Sequence, residues 1–236
     1  MSGKSIPARE RLILALDVPT IDAAKTLVES LGDACCFYKV GLELLMTGQY
    51  FELVDWLVRR GNSVFTDLKL FDVPNTVGSA VRQLVGRGIT FVMVHGNDGM
   101  IEAACRAKGD LKILAVTVLT SLDEGDIRDL GFQTDVSSLV LSRARRALEI
   151  GCDGVISSGR EAAAIRAELG DRLLVVTPGI RPVANLADDQ KRTVSVEEAF
   201  RLGADYIVVG RPIHGAPDPR EAAERIQATI RSLFPD

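Results

Sequence analysis

Residues Ser63 to Val85, SVFTDLKLFDVPNTVGSAVRQLV, contain one complete unit of the fold. Ser63 to Leu68 reads as a short strand. Pro74 then forces Val73 into an extended conformation, and Asn75 or Thr76 is placed to cap a following helix. In that helix Val77, Ala80, Val81, Leu84 and Val85 recur at i, i+3, i+4 spacing and form one apolar face. A strand, a polar turn and an amphipathic helix make a βα unit.

The same alternation extends in both directions. Strand candidates lie at Leu12 to Leu16, Cys35 to Val40, Ser63 to Leu68, Phe91 to Val94, Ile113 to Leu119, Gly154 to Ser157, Leu173 to Val176 and Tyr206 to Val209. Their nearly continuous apolar character indicates burial on both faces, as in a parallel sheet. The last helix carries Asp218 as N-cap, Pro219 at its first position, Glu221 in capping-box register, and Ala222, Ile226 and Ile230 facing inward. An open doubly wound sheet uses about five or six strands. Eight βα units in 236 residues close most economically into a single-domain (β/α)8 TIM barrel spanning residues 1–236, near the ~250 residues typical of that fold.

Composition excludes several classes of function. Apolar residues make up 47% and charged residues 25%, the balance of a globular protein rather than a disordered or fibrous one. A net charge of −4 leaves no broad basic surface for nucleic acid or an anionic membrane, so an anionic ligand has to be small and held locally. Cys35, Cys36, Cys105 and Cys152 show no C-x-x-C spacing and are expected to be reduced, buried thiols. Lys4, Arg9, Glu10 and Arg11 interrupt the N-terminal stretch, and nowhere do about 18 apolar residues run together, so a cytoplasmic location is expected. The connections Ser121 to Asp135 and Arg181 to Thr193 are long and polar, and both read as functional or mobile loops above the strand C-termini.

Barrel enzymes carry their chemistry at those strand ends. Asp17 closes the first strand, Lys39 interrupts the second, and Asp67 with Lys69 closes the third. His95 follows the fourth strand, Thr117 and Thr120 mark the fifth, Pro178 and Gly179 follow the seventh, and Gly210 with Arg211 follow the eighth. Gly179, Gly210 and Arg211 suit a phosphate, because glycine lets backbone N–H groups approach an anion and arginine can contact it in bidentate fashion. Asp67 and Lys69, two apart, share a face while the chain stays extended, and Asp72 follows on the turn. Carboxylates beside ammonium groups hold each other ionised. A lysine pinned in this way cannot act as a base or an imine-forming nucleophile, but it can donate a proton to a carbon where negative charge develops. Decarboxylation without metal or cofactor fits, since departing CO2 leaves a carbanion. His95 reads as a packing residue, and His214 as exposed or of local effect only.

From LALDVP at Leu14 to GRPI at Gly210 the chain resembles the orotidine 5'-phosphate decarboxylase family, through DLKLFDVPNT, YKVGLEL from Tyr38, VTVLTSLD from Val116, VTPGIRP from Val176 and ADYIVVGRPI from Ala204. The resemblance implies conversion of orotidine 5'-phosphate to UMP in de novo pyrimidine biosynthesis. It makes Lys39, Asp67, Lys69 and Asp72 a charged array in which Lys69 protonates pyrimidine C6, with Asp72 and Thr76 contributed by the partner subunit of a homodimer. It assigns Asp17 and Lys39 to the ribose hydroxyls, Thr120 and Ser121 to the pyrimidine, and Arg181, Gln190, Gly210 and Arg211 to the phosphate, with the Gln190 loop as a lid. Phe71, where similar sequences often carry histidine, and HGNDG from His95 depart from the family pattern without touching this chemistry. The nearest rivals are Mg2+-dependent sugar-phosphate decarboxylases and synthases that share D-x-K-x-x-D; a phosphate-binding isomerase of another barrel family and a non-catalytic nucleotide sensor lie further off.

Overall fold

The structure is a computed structural model that describes residues 4–181 and 193–235. Strands β1 (Leu12–Ala15), β2 (Phe37–Gly41), β3 (Ser63–Leu70), β4 (Phe91–Val94), β5 (Lys112–Val116), β6 (Gly154–Ile156), β7 (Leu174–Thr177) and β8 (Tyr206–Val209) form a closed parallel barrel in sequence order. β1 pairs with β8 through Leu12↔Ile207, Ile13↔Val208 and Leu14↔Val209. Helices fill the connections, so the α/β barrel expected from the sequence is the observed fold.

Alternation along the strands sorts the core into two layers. Ile13, Phe37, Phe65, Phe91, Leu114 and Tyr206 point into the barrel, where the Phe37 and Phe91 rings lie 5.1 Å apart. Their neighbours Leu12, Leu14, Tyr38, Val64, Val92 and Ile113 point outward under the helices. Both layers are buried, which is why the strands read as apolar runs.

The end of the barrel opposite the strand C-termini is closed by charge. Asp205, fully buried, accepts from Lys4 at 3.0 Å, Arg166 at 2.6 Å and the backbone N–H of Val175 at 2.9 Å. Arg11 donates to the Asp205 carbonyl at 3.1 Å and lies 3.7 Å from the Phe234 ring centroid. The contacts to the Asp205 side chain all fall on Oδ2 of the buried carboxylate, which the two cations and the backbone donor stabilise, while Oδ1 is buried without a hydrogen-bond partner among the described residues.

Several local expectations are corrected. β5 ends at Val116 rather than Leu119, because Thr117 turns its N–H and hydroxyl onto the Ile156 carbonyl, at 3.2 and 2.8 Å, and the chain then leaves the ladder. The connection from Ser121 to Asp135 holds a helix, Glu124–Asp129, whose polar residues are its caps. Asp123 accepts from Gly125 N and Asp126 N, and Asp126 accepts from Asp123 N at 2.8 Å.

Helix Pro74–Leu84 has Val73 as N-cap, with no side-chain cap from Asn75 or Thr76. Pro74 at the first position supplies a preset φ and one fewer orphan N–H. Val77, Val81 and Leu84 are buried, whereas Ala80 is only partly covered and Val85, past the helix end, is 38% exposed. Gly78 permits close packing on helix Asp98–Ala107, since a Cβ there would lie 3.3 Å from the Ala103 carbonyl oxygen. The last helix, Pro219–Leu233, follows expectation, with Asp218 accepting from Glu221 N at 2.9 Å. All four cysteines are free, but only Cys35 and Cys152 are buried, while Cys36 and Cys105 are partly exposed.

Candidate active site

The C-terminal ends of the strands surround a cavity of about 600 Å³. It is lined by Asp17, Lys39, Asp67 and Lys69 together with Thr120, Ser121, Gly179, Arg181, Gly210 and Arg211, and Asp17 stands next to Gly210, since a side-chain carbon on that glycine would begin 3.6 Å from Asp17 Oδ2. The floor is apolar, with Phe65, Met93, Val116, Ile156 and Val208. Being apolar, these floor residues do not stand out among the strand-end polar groups of the sequence. Their inward register on β3 to β6 and β8 was the available signal.

The charged wall is a continuous chain of contacts. Lys39 Nζ lies 3.2 Å from Asp17 Oδ1 and 2.9 Å from Asp67 Oδ2, and Lys69 Nζ lies 2.7 Å from Asp67 Oδ1. Gly41 keeps the approach open, since a side chain there would begin 3.4 Å from Lys39 Nζ. Burial by itself lowers the pKa of Lys39, but Asp67 and Asp17 outweigh it and leave the ammonium favoured. Burial likewise raises Asp67, and the two lysines more than reverse this, so its carboxyl is held below the ordinary carboxylate range. The Lys69 side chain is 36% exposed and that of Lys39 11%, so Lys69 is the ammonium that a ligand in the cavity meets more fully.

Simple strand alternation does not account for the Asp67–Lys69 contact. Lys69 has φ 44°, in the left-handed region, and the β3–β4 pairing shifts register between Thr66 and Leu70. The side chain is turned over Asp67 by a backbone bend at the strand end. A non-glycine residue in that region costs ~1–2 kcal/mol, so the surrounding structure must hold it there.

Asp72 and Thr76 do not line this cavity. Asp72 lies on the exposed turn after β3, where its Oδ1 accepts from Val73 N at 2.6 Å, and Thr76 lies exposed in the first turn of helix Pro74–Leu84. Gln190 lies outside the described residues. Thr117 is buried and bonded to β6 rather than open to the cavity.

His95 packs edge-on against Phe71, ring centroids 5.4 Å apart, outside the cavity lining. Its pKa is lowered by burial, then by Arg143 and Lys69. His214, in contrast, lines the cavity beside Arg211 and is neither exposed nor merely local. Its position one turn beyond Gly210 was the sequence signal. Among the described residues no group of three or more His, Cys, Asp or Glu side chains is arranged to hold a metal ion.

Ammonium groups held by carboxylates thus share one cavity with an arginine and glycine corner and an apolar floor. Such a cavity can hold a phosphate at one end and stabilise negative charge on carbon at the other. Residues 10–226 match the family model described as Orotidine 5'-phosphate decarboxylase / HUMPS family. The chain is 65% identical over 235 residues to an orotidine 5'-phosphate decarboxylase of Methylococcus capsulatus, covering 99% of this chain and 97% of that protein. It is 48% identical over 239 residues to one from Xanthomonas euvesicatoria, covering 100% and 98%. Among solved structures, orotidine 5'-phosphate decarboxylase from Lactobacillus acidophilus superposes with a TM-score of 0.82 at 35% identity, covering 94% of this chain and 99% of that one.

Proposed function

The chain belongs to the orotidine 5'-phosphate decarboxylase / HUMPS family, and from that premise we propose that it converts orotidine 5'-phosphate to UMP and CO2 with Lys69 as proton donor. The observation that carries the reading is the Lys39–Asp67–Lys69 contact chain lining the same cavity as Gly210 and Arg211. In this reading residues 1–236 form one catalytic domain, working in the cytoplasm in pyrimidine biosynthesis. No helix among the described residues is long and apolar enough to cross a membrane.

The substrate phosphate occupies the Gly179, Arg181, Gly210 and Arg211 corner, joined by Gln190 from outside the described residues. Asp17 and Lys39 take the ribose hydroxyls, and Thr120 and Ser121 face the pyrimidine. The C6 carboxylate then lies against Asp67 and Lys69. As the C6–carboxylate bond breaks, its electron pair stays on C6 and CO2 departs. The Lys69 ammonium stabilises that charge, transfers a proton to C6 and is reprotonated from solvent. Neither a metal nor a cofactor enters these steps.

Asp72 and Thr76 are proposed to act in the site of a partner subunit. Support comes from the turn between β3 and the helix that carries Thr76, where Phe71 is 64% and Val73 61% exposed, an apolar surface suited to burial against a second copy.

The test is to mix purified protein with orotidine 5'-phosphate and EDTA and follow loss of the orotate absorbance. Turnover that EDTA does not diminish is expected. Failure to turn over this nucleotide, with Mg2+-dependent action on a sugar phosphate instead, would move the chain to the other branch of its family.

A further inference from the structure

The cavity wall behind Gly210 holds an imidazole that the decarboxylation steps leave unused. His214 ends the four-residue helix Arg211–His214 after β8 and is half-buried. It lines the cavity with Asp17, Gly210 and Arg211, and its backbone N–H donates to the Gly210 carbonyl at 3.1 Å. A side-chain carbon on Gly210 would begin 3.6 Å from Asp17 Oδ2 and 3.8 Å from His214 Nε2. The imidazole and the carboxylate therefore flank the glycine at the phosphate corner. Neither ring nitrogen of His214 has a hydrogen-bond partner among the described residues.

Charged groups reach this ring from three elements. Asp17 follows β1, Arg211 precedes it on its own helix, and Glu43 lies on helix Leu42–Leu45. Lys39, from β2, is committed to the other oxygen of Asp17 at 3.2 Å. Burial lowers the imidazole pKa most, Asp17 and Glu43 raise it, Arg211 lowers it, and the net result lies below 6.5. The unliganded ring is thus mainly neutral near neutral pH. A phosphate dianion arriving beside Arg211 adds negative charge and favours the imidazolium form.

We propose that His214 is a further substrate-binding residue, a proton-dependent donor that engages the phosphate end of the nucleotide beside Arg211 and takes up one solvent proton when the dianion binds. No covalent bond changes; a proton moves from solvent to a ring nitrogen. The inference rests on the phosphate assignment made above. Arg211 supplies a permanent charge, and His214 adds one that appears only on occupancy and at lower pH.

Two measurements test it. KM for orotidine 5'-phosphate is compared between wild type and His214→Gln across pH 6 to 8.5 (from the phosphate and imidazole range to about two units above it). Glutamine keeps a neutral donor but cannot titrate, and protonation of the substrate phosphate cancels in the ratio. The variant-to-wild-type KM ratio should rise about tenfold as pH falls across that range, the size of one charge-assisted contact. UMP binding is then followed calorimetrically near neutral pH in two buffers of different ionisation enthalpy, where wild type should take up protons and His214→Gln should take up fewer. A flat KM ratio, or proton uptake undiminished in the variant, overturns the role of His214 while wild-type turnover still supports the decarboxylase reading. Should the variant not fold, absence of proton uptake by wild type overturns it alone. A wild type without turnover would instead remove the reading beneath.

Discussion

Lys69 is the one non-glycine residue among those described with a positive φ, and it carries the ammonium assigned to the chemistry. The contact to Asp67 at 2.7 Å, together with the bend, fixes the nitrogen over the cavity. Because the side chain packs little of the core, Lys69→Ala should fold normally and lose activity on the order of 10³-fold or more in kcat/KM. Circular dichroism alongside the orotate assay checks this, and activity within about tenfold of wild type would rule the donor role out. The backbone strain predicts an asymmetry: Lys69→Gly should be more stable to urea than Lys69→Ala by about 1 kcal/mol, since only glycine enters the left-handed region freely. Arg211→Ala should raise KM and also lower kcat, because binding energy remote from the reacting carbon is used to assemble the site. An unchanged turnover number at saturating substrate would contradict this. Which residue types gather at the mouth could be read from Asp17, Lys39, Asp67 and Lys69. How Lys69 reaches Asp67 could not, because the bend breaks the alternation on which the reading relied.

At the scale of single elements, legibility followed the source of each signal. Helix Pro219–Leu233 was readable because its cap is local: Asp218 accepts from Glu221 N only three residues on. Asp218→Ala should therefore cost about 1 kcal/mol in chemical denaturation and leave KM unchanged, since the cap lies away from the cavity. The segment from Ser121 to Asp135 has the composition of a loop because Asp and Gly serve turns and helix caps alike. Its helix Glu124–Asp129 is further tied by Glu124, which accepts from Val136 N at 3.1 Å, a contact set by the next helix. Helix Pro74–Leu84 shows the converse: Asn75 and Thr76 are good capping types, but the helix already starts at Pro74 and Val73 holds the N-cap position.

For the whole molecule, the half-buried imidazoles set the response to acid. His95 and His214 both have pKa values below 6.5, chiefly through burial. The unfolded chain binds their protons more readily than the folded one, so the associated stability is present above 6.5 and lost as pH falls through the lower folded values. Asp67, held below 3.8 by Lys39 and Lys69 against its burial, keeps its contribution until far more acid pH. Thermal denaturation should show Tm falling between about pH 7 and pH 5, with His95→Asn flattening part of that slope. An equal slope in the variant would exclude His95 as a source.

What the sequence alone determined is the barrel and the identity of its strand-end charges, because strand and helix periods and residue types are local properties repeated along the chain. What only the tertiary structure decided is which of those groups share a cavity. The left-handed turn of Lys69, the exposed place of Asp72 and the entry of His214 all depend on how distant strand ends pack around closure, which no local pattern encodes.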